Sequence, residues 1–461
     1  MTLIKSISGI RGTIGGKPDE GLTPIDIVKY VSAFSHIILE KKKRPKVVVG
    51  RDGRISGEIV NRLVTGCLMS CGIDVVDLGL STTPTVEMAV VFENADGGII
   101  LTASHNPKQW NALKLLNERG EFISEEEGEK LLKMDLGRLS YASTKNLGGY
   151  TQKEQYGFTH IEKILELDLV EPEAIQKNKF SVVVDAINST GATFVPMLLK
   201  RLGITNIKIL NGEITGDFAH NPEPLQENLE QISNYIKTYG ADLGIVVDPD
   251  VDRLCFLDEK GDMFGEEFTL VAIADYVLEH SKGPAVSNLS SSRALKDICD
   301  RHGVDYFASA VGEVNVVKKM KECNAIIGGE GNGGVIIPAL HYGRDALVGI
   351  ALFLSHLAKS STSVSMLRKK YPNYVMSKNK IQLTPDLDVD DLLNKIAQAF
   401  SNEQINTADG VKIDFENGWL HLRKSNTEPI IRIYAEGETE DVCNHLISMI
   451  MEKVNELSSF I

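Results

Sequence analysis

Ser104 follows Ile99, Ile100 and Leu101 and precedes His105, Asn106 and Pro107. The apolar run reads as a buried strand, and Pro107 keeps the next residues out of regular structure. This predicts a hydroxyl at the carboxyl end of a strand, where open α/β sheets bind ligands. Asp248, Asp250 and Asp252 come directly after the apolar Ile245-Val-Val247. In an extended loop alternate side chains share one side, so the three carboxylates converge on one hard cation. Oxygen donors without Cys or His favour Mg²⁺ over zinc. A calcium EF-hand competes, since Glu259 falls at its twelfth position, but Arg253 stands where that loop requires glycine. A solvated acidic turn is the plainer alternative; Arg253 beside the carboxylates and the strand before them outweigh it. Glu330 and Asn332 sit in Gly329-Glu-Gly-Asn-Gly-Gly334, whose glycines let backbone approach a ligand. Glu and Asn together suit sugar hydroxyls, although alone this would read as an ordinary glycine turn. Arg423-Lys-Ser-Asn-Thr-Glu-Pro429 and Arg432 bring two guanidiniums, hydroxyls and loop amides together as a phosphate cradle. A basic surface loop is an equal alternative for that segment taken alone. Arg11 lies between glycines in Ser8-Gly-Ile-Arg-Gly-Thr13, by itself a surface-loop arginine.

These residues occupy recurring places. Lys46–Gly57 reads as strand, loop and helix start, Ile73–Leu78 as a second strand, and Ala95–Leu101 as a third leading to Ser104. Ser181–Gly191, Ile204–Leu210 and Ala241–Val247 repeat the pattern and lead to Asp248. Pro284–Arg293, Gly303–Phe307 and Asn324–Ile327 repeat it again and lead to Glu330. Repetition at this length means repeated domains, and strands alternating with helices mean mainly parallel α/β sheets. Thr23 is placed to cap a helix opening at Pro24, with Val28, Val31, Phe34 and Ile38 on its apolar face. Beyond about Pro372 the pattern changes. Val411, Ile413 and Phe415 alternate as a half-buried strand, Trp419–Leu422 and Ile430–Ala435 follow, and a helix begins near Asp441. The expected fold is α/β: three repeated α/β domains with mixed, mainly parallel sheets and a smaller C-terminal α+β domain. The expected divisions are 1–150, 151–257, 258–371 and 372–461.

A chain of 461 residues exceeds one core, so several domains are required. The net charge of −14 argues against nucleic acid or an anionic membrane as partner, leaving a small molecule. The first residues lack the apolar stretch of a secretory signal, and the apolar segment Leu347–Leu354 is too short to span a bilayer. The six cysteines show no metal-binding spacing; Cys67 and Cys71 read as core residues, and a cytoplasmic location is expected.

The loops Thr102-Ala-Ser-His-Asn-Pro107, Asp248-Pro-Asp-Val-Asp-Arg253, Gly329-Glu-Gly-Asn-Gly-Gly334 and Arg423-Lys-Ser-Asn-Thr-Glu-Pro429 resemble those of the α-D-phosphohexomutase family, in the family's order. The resemblance implies four domains around a central cleft and an isomerase that interconverts hexose 1- and 6-phosphates. It implies that Ser104 carries a phosphoryl group, and that one Mg²⁺ is held by Asp248, Asp250, Asp252 and the Ser104 phosphoryl. Lys114 matches the position of a candidate general base. Arg11 and Arg253 match residues that stabilise transferring charge, Glu330 and Asn332 the sugar-binding loop, and Arg423, Ser425, Asn426 and Thr427 the loop that grips the non-reacting phosphate, with Arg432 beside it. Glucose or glucosamine 1,6-bisphosphate is the implied intermediate and activator, and a monomer or homodimer the implied assembly. A sugar-phosphate-binding protein without turnover is the other class open; intact Ser104, Lys114 and the aspartates speak against it. Two positions depart from the common pattern. Asn332-Gly-Gly334 replaces Ser-Gly-His, and Trp110-Asn-Ala112 replaces Tyr-Asn-Gly. The Asn-Gly-Gly loop resembles some phosphoglucosamine mutases, while the Ser-Asn-Thr-Glu-Pro loop leans towards phosphomannomutase or phosphoglucomutase. Gly334 is expected to leave room beside the sugar and relax selection at carbon 2.

Overall fold

The structure is a computed structural model that describes residues 1–6, 9–135, 137, 139–382, 388–424 and 430–458. It comprises two compact units, Met1–Thr269 with Asn332–Leu367, and Leu270–Gly331 with Arg368–Ile461.

The first unit holds two sheets. The larger runs in the order Leu3–Ser6, Gly9–Thr13, Trp110–Leu116, Gly97–Leu101, Lys46–Arg51, Asp74–Leu80, Tyr150–Gln152. Its last four strands are parallel, and the three at the other side join antiparallel. Val47 and Val49 pack on one face with Phe34 and Leu68 of the flanking helices, and Val48 on the other with Val86 and Val90. Strands covered on both faces need no polar alternation, which explains the unbroken valine run. The second sheet runs Leu254–Leu257, Leu243–Val247, Ser181–Asp185, Asn206–Leu210, parallel except for its first strand.

The helix Pro24–Lys41 begins as expected. Thr23 accepts from the Asp26 amide, and Asp26 returns the bond to the Thr23 amide, a reciprocal cap that satisfies two otherwise orphaned donors. Val31, Phe34 and Ile38 are buried, but Val28 is on the solvent side. The apolar stripe passes instead through Ile27, which is buried. Helix Ala346–Ser360 is buried all round from Ala346 to Ala358. It packs on helices Tyr156–Leu165, Pro172–Asn178 and Gly191–Arg201. Through that packing Asn332–Leu367 belongs to the first unit.

In the second unit, strands Tyr306–Ser309, Ala285–Asn288 and Ile327–Glu330 run parallel side by side, the third repeat of the pattern. A five-stranded antiparallel sheet follows, ordered Val375–Gln382, Ile430–Gly437, Gly418–Lys424, Val411–Phe415, Gln404–Asn406. Helices Val389–Ala399 and Glu440–Ser458 cover it through Leu392, Ile396, Leu446 and Ile450. The sequence did not single out Val375–Gln382, whose Lys378, Asn379 and Lys380 are exposed. Among the described residues, no helix is long and apolar enough to cross a membrane.

Candidate active site

Ser104 is placed by the residues that grip its backbone. It adopts φ 47°, a left-handed conformation that is uncommon outside glycine. Arg54, fully buried, fixes it there: one guanidinium nitrogen donates to the Ser104 carbonyl at 2.5 Å and the Asn106 carbonyl at 2.6 Å, and the other to Pro107 and Trp110. Asp52 holds the Arg54 Nε at 3.0 Å and the Thr102 hydroxyl at 2.7 Å. The Ser104 hydroxyl then donates to Asp248 Oδ2 at 2.7 Å. The serine at the end of one repeat and the aspartate at the end of the next therefore share one place. His105 Nδ1 lies 3.5 Å from the Ser104 hydroxyl; burial, then Arg253, holds that imidazole well below its ordinary pKa.

The aspartates converge, but not through an extended loop. Val251 has φ 61°, and the amides of Asp252 and Arg253 donate back to Asp248 Oδ1 at 3.1 Å. The loop is a tight turn, strained at a β-branched residue, and alternate spacing along a strand is not what gathers the carboxylates. All three are wholly buried, with oxygens within 4.8 Å of one another. Burial, then Asp250 and Asp252, pushes the Asp248 carboxyl well above the usual range. Asp252 is displaced the other way: Arg344, Lys114 and Arg253 overcome its burial. Among the described residues, Asp250 Oδ1 and Asp252 Oδ1 have no hydrogen-bond partner. Buried oxygens of this kind are costly unless something satisfies them.

Lys114 extends from strand Trp110–Leu116 and donates to Asp250 at 2.7 Å and Asp252 at 3.2 Å. Burial works against its charge, but Asp250 and Asp252 raise its pKa above the ordinary lysine value. Arg11 lies in strand Gly9–Thr13, not in a surface loop. Burial, then the charges of Arg253 and Arg344, lowers its pKa. Arg253 Nε stands 4.0 Å from Asp252.

Two further residues were not legible in the sequence. Arg344 Nη2 donates to Asp252 Oδ2 at 2.8 Å, across 92 residues. Thr83 donates its hydroxyl to Asp250 Oδ2 at 2.5 Å, across 167 residues. The dipeptide Gly343-Arg344 has no local signature; its only sequence signal is a cation just before the apolar helix at Ala346. Gly334 does not open space beside a sugar as expected, because a Cβ there would fall 2.3 Å from Arg344 Cδ. The room is filled by the Arg344 stem.

Glu330 is buried in the second unit, where its Oε1 accepts from Asn288 at 2.8 Å and the Gly312 amide at 3.0 Å. Asn332, in the first unit, accepts from the Gly334 amide at 3.2 Å. On the C-terminal sheet Arg423 and Arg432 are direct cross-strand partners. Like charges placed opposite one another are unfavourable without a counter-ion; Asp409 lies 3.3 Å from Arg423 Nε. Ser425, Asn426 and Thr427 lie outside the described residues, as does Ser8.

Four family models match the chain in order: phosphoglucomutase/phosphomannomutase alpha/beta/alpha domain I over residues 3–134, domain II over 158–261, domain III over 266–374 and the C-terminal domain over 380–453. The chain belongs to the phosphoglucomutase/phosphomannomutase family. This phosphohexomutase is 36% identical to a phosphoglucomutase/phosphomannomutase of Thermococcus kodakarensis over 452 residues, 96% of this chain and 98% of the relative. It is 33% identical to a phosphoglucosamine/phosphogalactosamine mutase of Sulfurisphaera tokodaii, over 95% of this chain and 96% of the relative. Among solved structures, a phosphoglucomutase/phosphomannomutase family protein of Burkholderia thailandensis superposes with a TM-score of 0.85 at 26% identity, covering 98% of both chains. The phosphohexomutase is accordingly a mutase, an isomerase, with three α/β/α domains and a C-terminal domain.

Proposed function

We propose that this phosphohexomutase interconverts a hexose 1-phosphate and 6-phosphate through phosphorylated Ser104 and a 1,6-bisphosphate, with glucosamine phosphate as its preferred sugar. One observation supports the chemistry above the rest: the Ser104 hydroxyl lies 2.7 Å from Asp248, beside two more buried carboxylates. The nearest group to that hydroxyl is a carboxylate of an all-acidic cluster rather than the histidine-and-aspartate pair of a serine hydrolase. The serine is a suitable seat for a phosphoryl group once the carboxylates are shared with a cation.

The residues fit magnesium. The donors are all carboxylate oxygens, two of them buried without a hydrogen bond among the described residues, and the repulsion that Asp250 and Asp252 exert on Asp248 is what a further cation would relieve. Asp248, Asp250 and Asp252 would hold the ion, with the phosphoryl group on Ser104. Bound there, Mg²⁺ supplies positive charge to the phosphoryl oxygens. The chain supplies the remainder. Arg11, Arg253 and Arg344 present guanidiniums to the equatorial oxygens, where charge accumulates during transfer. In the first half-reaction the sugar 6-hydroxyl attacks phosphorus, the bond to Ser104 Oγ breaks, and the hydroxyl proton leaves to a base. Lys114 takes that proton only when released from Asp250 and Asp252. The bisphosphate then turns end over end and returns its other phosphate to Ser104. Arg423 and Arg432 grip whichever phosphate is not reacting, with the loop of Ser425, Asn426 and Thr427, while Glu330 and Asn332 read ring hydroxyls.

Glucosamine rests on the Asn332-Gly333-Gly334 loop and on the Sulfurisphaera relative. The Thermococcus relative favours a second reading, glucose or mannose phosphate. Measuring kcat/KM for glucosamine, glucose and mannose phosphates on one preparation decides between them. A tenfold or greater preference for glucose or mannose phosphate would replace the sugar and keep the mutase. Intact-mass spectrometry tests the phosphoenzyme: full activity without bisphosphate in a chain carrying no phosphate on Ser104 would refute it.

A further inference from the structure

Behind the aspartate loop lies a second cluster of ionisable side chains that the proposed chemistry does not use. His160, Glu87 and Asp345 are buried together with the half-buried His341, drawn from helix Tyr156–Leu165, the segment before helix Ala346–Ser360, and helix Thr83–Phe92. Asp345 is at its centre. One of its oxygens caps helix Ala346–Ser360, accepting from Leu347 at 2.8 Å and Val348 at 3.3 Å. The other faces His160 Nε2 at 2.8 Å and His341 Nε2 at 3.3 Å. His341 Nδ1 lies 3.3 Å from Glu87 Oε2, and Thr85 Oγ1 lies 2.9 Å from His160 Nδ1. Gly343 gives Glu87 its room, since a Cβ there would fall 1.9 Å from the Glu87 carboxylate.

The two segments tied together by this cluster both hold the aspartate loop from outside, alongside Lys114. Helix Thr83–Phe92 presents Thr83, whose hydroxyl reaches Asp250 at 2.5 Å and whose amide reaches the Asp250 carbonyl at 2.9 Å. The segment entering helix Ala346–Ser360 presents Arg344 to Asp252 at 2.8 Å, and the Ala346 amide to the Val251 carbonyl at 3.2 Å. Glu87 stands four positions after Thr83, and Asp345 four positions after His341, with Arg344 between them. His341 Nε2 is in hydrogen-bond contact with Asp345, and Nδ1 stands at ion-pair distance from Glu87, so the charged ring lies between two carboxylates. Remove that ring and Glu87 and Asp345 are left as buried charges with one counter-charge fewer.

We propose that His341 is a positioning residue: bridging Glu87 and Asp345, it locks the Thr83 helix to the Arg344 segment and so sets how tightly the aspartate loop closes on a divalent cation. This rests on the reading of Asp248, Asp250 and Asp252 as the metal loop. His341 touches neither the cation nor the substrate. It acts through Thr83 and Arg344, as outer-shell partners of metal ligands do, where substitution lowers affinity or activity by about 10–100-fold.

The test is Mn²⁺ binding to the full chain by electron paramagnetic resonance, with kinetics and melting temperature alongside. His341→Gln and Glu87→Gln are expected to weaken Mn²⁺ binding by about tenfold or more and to lower kcat, with KM for the sugar phosphate little changed. His341→Ala is expected to regain metal affinity when imidazole is supplied. Leu68→Ala, a core truncation distant in sequence, is the control for lost stability and should lower Tm without moving Mn²⁺ affinity. If His341→Gln does not fold, Glu87→Gln decides alone. Wild-type Mn²⁺ affinity in a folded His341→Gln or Glu87→Gln variant overturns the proposal. So does a loss that scales with Tm as in Leu68→Ala. Stoichiometric zinc in the purified protein that disappears in His341→Gln would also overturn it, making the cluster a metal site. Wild-type Mn²⁺ affinity that Asp248→Asn leaves unchanged would instead sink the metal-loop reading beneath it.

Discussion

The serine–aspartate site and the paired arginines of the C-terminal sheet both handle phosphate by the present reading, yet they are built on opposite principles. At the first, Ser104, Lys114 and the three aspartates are buried and held from several sides. Arg54 makes four backbone contacts around Ser104, and Asp248 is fixed by two amides. At the second, Arg423 and Arg432 face each other across two strands, with Asp409 beside Arg423. Transfer of a phosphoryl group demands fixed geometry and neutralised charge. Holding a phosphate that must later be let go demands strong attraction with little shape. Each region has the construction its task requires.

The sharpest way to break the comparison is Asp248→Asn. The amide keeps the shape and its oxygen can still accept from Asp252 and Arg253, so the turn survives. Removing one of three repelling buried carboxylates should raise the Tm of the metal-free protein. Turnover should fall by at least about 10²–10³-fold, the scale of losing one preorganised electrostatic contact. A variant that keeps activity, or that unfolds, would mean the site is not tuned for charge.

Arg54→Ala asks whether the serine loop needs its scaffold. It leaves Asp52 as a buried, unpaired carboxylate, and breaking such a pair costs about 3–5 kcal/mol. Both Tm and kcat should drop, with KM less affected. A stable variant whose kcat is unchanged would show that Ser104 holds its left-handed backbone without help.

At the other region the expected pattern inverts. Arg423→Ala should raise KM strongly, since each charge-assisted bond contributes about 1.5–3 kcal/mol, while kcat at saturation changes little. Arg432→Ala should behave alike. Neither should lower Tm much, because each relieves a like-charge pair. A kcat loss without a KM change would place these arginines in the transfer step.

These contrasts also explain what could be read from the sequence. Ser104 and the three aspartates stand in short contiguous motifs behind apolar strands, and the repeat of that pattern named the fold. Arg344, Thr83 and Arg54 act on residues 92, 167 and 50 positions away, and no local pattern announces a partner at such range. Strand Gly9–Thr13 was hidden by its glycines, which depress strand propensity. Gly334 misled for a related reason: a missing side chain tells that space is needed, not which neighbour fills it. The aspartates converged as expected but by a turn, because Val251 takes a conformation that β-branched residues avoid.

The smallest expected effect lies in pH, and the two regions should fail at opposite ends of the scale. In the second unit His421 is buried between the Ser290 hydroxyl at 2.8 Å and the Asp409 carbonyl at 2.7 Å. Burial outweighs that carbonyl, and Lys412 and Arg423 add to it, so the imidazole is held down to about 4 from 6.5. The fold prefers the neutral ring, so its contribution is complete above pH 6.5 and is lost as pH falls through 4. In the first unit His341 is the reverse: Asp345 and Glu87 overcome burial and push it up to about 10. The fold prefers the charged ring, so that contribution is complete below pH 6.5 and is lost as pH rises through 10. The chain has two tryptophans, Trp110 in the first unit and Trp419 in the second, so single-tryptophan variants report each unit alone. In Trp110→Phe, denaturant midpoints followed through Trp419 should fall from pH 6.5 to 4, and His421→Gln should flatten that limb while leaving the alkaline one untouched. An acid limb of the same slope in His421→Gln would assign it to other groups and remove His421 from the account.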